Sequence, residues 1–170
     1  MADKKIVIEP VPPDGAFQPV SIDLHLSPMV KHYEWDGLAI DIKSPPALVD
    51  DTIDYVFDII EPGGFMLGST LEHVSVPNDL YAKVEGKSSI ARCGLLVHIT
   101  AGFIDPGFRG NITLELKNVN NVPVIIRSGM PICQICFGRV EGRIARPYGS
   151  NGLGSRYQDS KGTVGPRSPQ

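Results

Sequence analysis

Apolar and polar residues alternate with a period of two along much of this chain, in short runs cut by Gly and Pro. The clearest run is Asn111-Ile112-Thr113-Leu114-Glu115-Leu116. There Ile112, Leu114 and Leu116 share one face while Thr113 and Glu115 share the other, the signature of a half-buried strand. The same reading predicts strands over 5–9, 20–26, 80–84, 95–99, 124–127 and 132–140, and an amphipathic strand or hairpin over 32–42. Runs at 56–60 and 65–71 flank Pro62-Gly63-Gly64, a hairpin signal; a separate alternating run covers 71–76. Asp50, Asp51 and Asp54 fall between runs, without the spacing of a calcium loop, and read as a solvated linker. One short helix is expected at Ser88–Cys93, where Ser serves as a cap and Gly94 as a stop. The pattern therefore predicts an all-β sandwich or barrel of roughly ten to twelve short strands.

Composition supports that class. Eighteen Gly and fifteen Pro in 170 residues suit a turn-rich β domain, and the length suits one domain with a real core. No apolar run approaches the roughly 20 residues of a membrane helix, and Met-Ala-Asp-Lys-Lys lacks the apolar centre of a signal peptide, so no membrane partner and a cytoplasmic location are expected. The net charge of −3 is uneven: residues 139–170 hold six basic residues against Glu141 and Asp159, leaving −7 for the rest. A basic tail on an acidic body suits either a polyanionic ligand or plain solvation.

The chemistry concentrates between Lys87 and Glu115. Ser88, Ser89 and Arg92 supply closely spaced hydroxyl and guanidinium donors for an anion. Asp105-Pro106-Gly107 is a turn with a carboxylate at its start. Glu115 sits mid-strand, a rigid mounting for a catalytic carboxylate. Asp23, within an apolar run, reads as an architectural acid. Pro131-Ile132-Cys133-Gln134-Ile135-Cys136 mimics half of a zinc-deaminase motif, whose other half is a His-x-Glu; His32-Tyr33-Glu34 is the one such triplet here. Residues three apart on a strand point to opposite faces, so Cys133 and Cys136 could not chelate one ion and no zinc is expected.

Three separated motifs carry a family resemblance: Glu85 through Arg92, His98 through Phe108, and Gly110 through Glu115, with Gln18–Leu24 before them and Arg146-Pro147-Tyr148 after. Together they resemble the dCTP deaminase branch of the dUTPase superfamily, and a carboxylate at Glu115, where dUTPases are normally apolar, favours that branch. The resemblance implies a dUTPase-like β-barrel (β-clip, jelly-roll-type) domain over residues 1–148, and a flexible tail over 149–170 closing on the nucleotide. It further implies a homotrimer with sites at subunit interfaces, a deoxypyrimidine triphosphate ligand (dCTP, or dUTP) rather than a nucleic acid polymer, and Mg²⁺ held through the triphosphate. Glu115 becomes the proton carrier for deamination, Ser88 and Arg92 the groups that hold the attacking water, and Asp105 a partner for the ribose 3′-hydroxyl or a water aimed at phosphorus. Substrate contacts would also come from Lys87, Ser89, Ile90 and Ala91, from Thr113 and Leu114, and from Phe108 against the sugar. Gln134 and Tyr148 match phosphate-contacting positions. In the tail, Arg156 and Ser160 stand where relatives commonly have Lys and Gln, and Lys87 where they have Arg. Gly102-Phe103 resembles the dUMP-forming type, whereas deaminases that stop at dUTP often carry a bulky basic pair there. The expected product is dUMP; a monofunctional dUTPase, a monofunctional deaminase and a catalytically silent nucleotide sensor are the alternatives.

Overall fold

The computed structural model describes residues 6–33, 39–52 and 57–167. Twelve strands, one turn of α-helix and one 3₁₀ turn (Asp14–Ala16) lie among them: β1 (Val7–Glu9), β2 (Ser21–His25), β3 (Met29–His32), β4 (Val49–Thr52), β5 (Asp58–Ile60), β6 (Phe65–Ser75), β7 (Leu80–Gly86), α1 (Ser88–Ala91), β8 (Leu95–Leu96), β9 (Phe103–Ile104), β10 (Arg109–Asn118), β11 (Val124–Ile126) and β12 (Pro131–Arg139). A sheet ordered β4-β3-β6-β10-β8, with β1 also on β6, shares one apolar core with a sheet ordered β2-β12-β7-β9. Leu24, Val84, Ile132 and Ile135 enter that core from the second sheet, and Val74, Leu114 and Leu116 from the first. Burial of this kind is the main stabilising term for short strands that could not stand alone.

β10 follows its sequence pattern, with alternate residues buried from Gly110 to Asn118. It pairs with β6 across a bulge between Asn111 and Thr113. The Ile112 N–H, displaced from the ladder by the bulge, donates to Thr70 Oγ1 at 3.0 Å, so this buried donor is satisfied.

Four expectations need correction. The runs at 65–71 and 71–76 are one eleven-residue strand, because β6 continues past its bulge instead of breaking. Pro62-Gly63-Gly64 does not close a hairpin: β5 pairs with β11, burying Ile60 and Ile126 together, while Gly63 N–H and Gly64 C=O bond Asn118 at 3.0 and 3.2 Å. The acidic stretch is not all linker. Asp50 and Asp51 lie in β4 opposite Lys31 and Val30, and Asp50 pairs with Lys31; Asp54 lies outside the described residues. Finally, the strand expected over 32–42 stops at His32. Ile40 and Ile42 are exposed, with a turn closed by Ser44 N–H to Asp41 C=O, and 34–38 lie outside the described residues.

Candidate active site

The outward face of β10 floors a cavity of about 450 Å³. Asn111, Thr113 and Glu115 rise from that floor, Asp105 and Phe108 come from the turn before β10, and Ala101, Phe103 and Ile104 flank it. The turn is closed by Phe108 N–H to Asp105 C=O at 3.2 Å. It needs Gly107, whose φ is +91° and whose Cβ would lie 2.8 Å from Pro147 Cβ, as the Asp-Pro-Gly signal requires. Tyr148 packs against Phe108 with ring centroids 5.8 Å apart. Glu115 is half-buried, and its Oε2 accepts the Ile99 N–H at 2.8 Å. This bond fixes the carboxylate against the β8–β9 loop, while Glu115 N–H holds Val97 C=O at 3.1 Å. One residue is thus tied through both its backbone and its side chain to the segment that also carries Gly102 and Phe103.

Residues 149–167 form a strap across the cavity. Asp159 grips Arg109 through two bonds of 2.9 and 3.1 Å. That pairing holds the Asp159 carboxyl below its ordinary value, chiefly through the hydrogen bond, and raises the Arg109 guanidinium. Ser160 then makes a parallel bridge to Gly110. Further on, Gly162 N–H donates to Asn111 Oδ1 at 3.1 Å and Val164 N–H to Thr113 Oγ1 at 3.2 Å. Thr163 is buried and donates to Ser69 Oγ at 3.0 Å. Val164, Gly165 and Pro166 complete the cavity wall.

The expected site residues fall into two groups. Glu115, Asp105, Phe108, Thr113, Tyr148, Ser160 and Phe103 line the cavity. Lys87, Ser88, Ser89, Ile90, Ala91, Arg92 and Gln134 do not; they gather where β7 runs into α1 beside β12. There buried Asp23 binds the Lys87 ammonium and accepts Gln134 Nε2 at 3.0 Å. The single turn of α1 leaves Ser88, Ser89, Ala91 and Arg92 exposed, and its Ile90 and Ala91 N–H groups return to Lys87 C=O. Leu114 is wholly buried, so its side chain belongs to the core. Arg156 Nη1 reaches Arg167 C=O at 3.2 Å instead of the cavity. The Cβ direction of Gly102 is filled, with Val84 O 2.6 Å and His98 Nε2 3.2 Å away. Among the other lining residues, Asn111 carries no role expected from sequence, while Tyr157 and Val164–Pro166 belong to the tail expected to close on the nucleotide. Asn111 shares parity with Thr113 and Glu115, a signal that would have found it; the strap has no periodic signal.

Among the described residues no cluster of three or more His, Cys, Asp or Glu side chains is arranged to hold a metal. The carboxylates at the cavity are isolated donors, which fits a hard cation that takes most of its oxygens from phosphate and water. Cys133 is fully buried. Burial first, then the charges of Glu72 and Asp23, push its thiol far above the ordinary value, the opposite of a metal ligand's needs.

The jelly-roll-like β fold holds a carboxylate-floored cavity under a C-terminal strap, and comparison with known proteins gives the family that builds it. A family model described as dCTP deaminase-like matches residues 1–140, and the chain belongs to that family. A protein of Nocardioides named "dCTP deaminase, dUMP-forming" is 44% identical over 98% of this chain and 88% of its own. A protein of the same name from Mycolicibacterium smegmatis is 43% identical over 99% and 90%. The fold matches the 2′-deoxycytidine 5′-triphosphate deaminase of Agrobacterium tumefaciens with a TM-score of 0.64 at 19% identity, over 80% of this chain but 44% of that one. It also matches a dUTPase from Staphylococcus aureus phage phi11, described with a structural Mg(II) ion, at a TM-score of 0.56 and 12% identity over 84% and 95%.

Proposed function

We propose that the protein converts dCTP to dUMP, ammonia and pyrophosphate in one site, supplying dUMP for thymidylate synthesis. The observation that carries this reading is that two carboxylates, Glu115 and Asp105, open into the same cavity, one for each hydrolytic step. Glu115 takes a proton from water as the oxygen attacks C4 and passes it to ring N3; it then takes the proton of the new C4 hydroxyl and gives it to the amine, which leaves as ammonia as the C4 carbonyl forms. A single positioned carboxylate can serve each of these transfers. Asp105 then orients a second water in line with the bond between the α-phosphorus and the bridging oxygen of the leaving pyrophosphate. Mg²⁺ held on the triphosphate would spread the charge that develops on that leaving group. Phe108 and Tyr148 supply an apolar wall for sugar and base, and the strap excludes water.

The second group of expected residues supports an oligomer. Ser88, Ser89, Arg92 and Gln134 are oxygen- and phosphate-binding types that lie away from this chain's cavity. We infer a homotrimer in which a neighbouring copy presents that surface to the cavity, so that each site draws on more than one subunit.

The test is a time course with purified protein, Mg²⁺ and either dCTP or dUTP, resolving dCTP, dUTP and dUMP. The expected result is dUMP from dCTP with little free dUTP. Stoichiometric dUTP without dUMP would make the protein a plain deaminase, dUMP from dUTP alone a dUTPase, and no turnover a sensor. Sedimentation should give three times the chain mass of 18.4 kDa.

A further inference from the structure

Phe103 flanks the cavity yet is 58% exposed, and its backbone alone does not decide where the ring points. β9 is only two residues long; Phe103 pairs with Lys83 and Ile104 with Ala82 of β7. Tyr81 shares the outward face of β7 with Lys83, one diagonal step from Phe103. The two rings stack, with centroids 5.3 Å apart and planes 11° from parallel. On its other side Tyr81 faces Gly138 of β12. The Tyr81 Oη and Cε1 atoms lie 2.5 and 2.7 Å from where a Cβ of residue 138 would be, so the ring rests on bare backbone. Gly138, Tyr81 and Phe103 thus form a row across three strands, running from β12 to the cavity's flank.

We propose that Tyr81, seated on Gly138, is a positioning residue for Phe103, and through it for the loop that holds Glu115. The physical argument is that an exposed aromatic ring has several rotamers, and a flat partner on one side selects one. The selected ring stands as an apolar wall beside the nucleotide. It keeps the deaminated intermediate in place for the second hydrolysis and steadies Gly102, whose carbonyl accepts Val84 N–H at 2.7 Å. Ile99, the donor to Glu115, lies four residues before Phe103 on the same loop. Retention of the intermediate rests on the dCTP-to-dUMP reading; the positioning of the loop does not.

Tyr81→Phe, Tyr81→Ala and Gly138→Ala test it in the full-length protein, with two readouts. The first is the ratio of released dUTP to dUMP during dCTP turnover. The second is amide hydrogen exchange over residues 98–104 without nucleotide. Tyr81→Phe keeps the ring and should match wild type in both. Tyr81→Ala should raise the dUTP fraction and loop exchange roughly two- to tenfold, the range of one aromatic pair. Gly138→Ala should do the same with Tyr81 intact, since the new methyl displaces the ring, and combining the two changes should add little. Wild-type ratios and wild-type exchange in Gly138→Ala overturn the proposal, even if Tyr81→Ala fails to fold. If wild type makes no dUMP from dCTP, the functional reading falls, and unchanged loop exchange in the variants would separately remove the positioning role.

Discussion

β10 and the strap that covers it are neighbours held in place by different forces. β10 is ordered by burial: Ile112, Leu114 and Leu116 are 8%, 0% and 0% exposed, and its ladder to β6 runs from Arg109 to Lys117. The strap buries only Ser160 and Thr163 and is otherwise held by hydrogen bonds and one exposed ion pair. Such contacts contribute little net stability each. A site floor built from core packing stays put, while a cover built from exchangeable polar contacts can leave and return. In the proposed mechanism the chemistry sits on the first, and the second controls access.

The strongest test of that division is Glu115→Gln. The near-isosteric amide cannot cycle a proton, so deamination should drop by about 10²–10⁴-fold, with the melting temperature unchanged. Wild-type deamination by this variant would remove Glu115 from the mechanism. Leu114→Ala strikes the same strand from its other face. It should cost about 2–5 kcal/mol of stability, read by denaturant unfolding, and lower activity only through loss of folded protein. Deleting residues 149–170 should leave the β domain and the proposed trimer folded while kcat/KM falls at least about tenfold; an unchanged value would reduce the strap to an appendage. The mildest effect is acidification. Because the Arg109 bond holds the folded Asp159 carboxyl below its ordinary value of 3.8, docking is fully supported above that value and weakens as pH falls through the lower, folded one. Limited proteolysis of the strap should therefore accelerate in that acid window before the core unfolds. Asp159→Asn should make cleavage insensitive to pH there.

β10, β7, β12 and the Asp-Pro-Gly turn were legible because each is specified locally, by a period of two or by a turn residue. What sequence missed depends on distant partners. β4 carries Asp50 and Asp51, poor strand formers, and exists because β3 offers Lys31 and a free edge. β5 looked like half of a hairpin because its true partner, β11, is more than sixty residues away. Of the site, Glu115, Asp105 and Phe108 were legible as a motif and meet at one cavity. The buried Asp23 that gathers Lys87 and Gln134 was recognisable as an architectural acid, but its partners come from β12 and from the junction between β7 and α1. The strap's path was invisible, since backbone N–H groups meeting polar side chains leave no hydrophobic trace.

That path carries one more consequence, for the state of the carboxylate under the closed cover. Along the strap, alternate backbone N–H groups find the upward side chains of β10: Gly162 meets Asn111, then Val164 meets Thr113. The next residue in this sequence of two is Pro166, and the next side chain on the strand is Glu115, both at the cavity. Proline has no N–H to give. The strap therefore closes over its last polar neighbour without handing it a donor, and the lone pairs not engaged by Ile99 stay available to a water molecule. A cover that knitted itself to every group beneath it would quench a base it protects; here the dropped stitch falls on the carboxylate proposed to react.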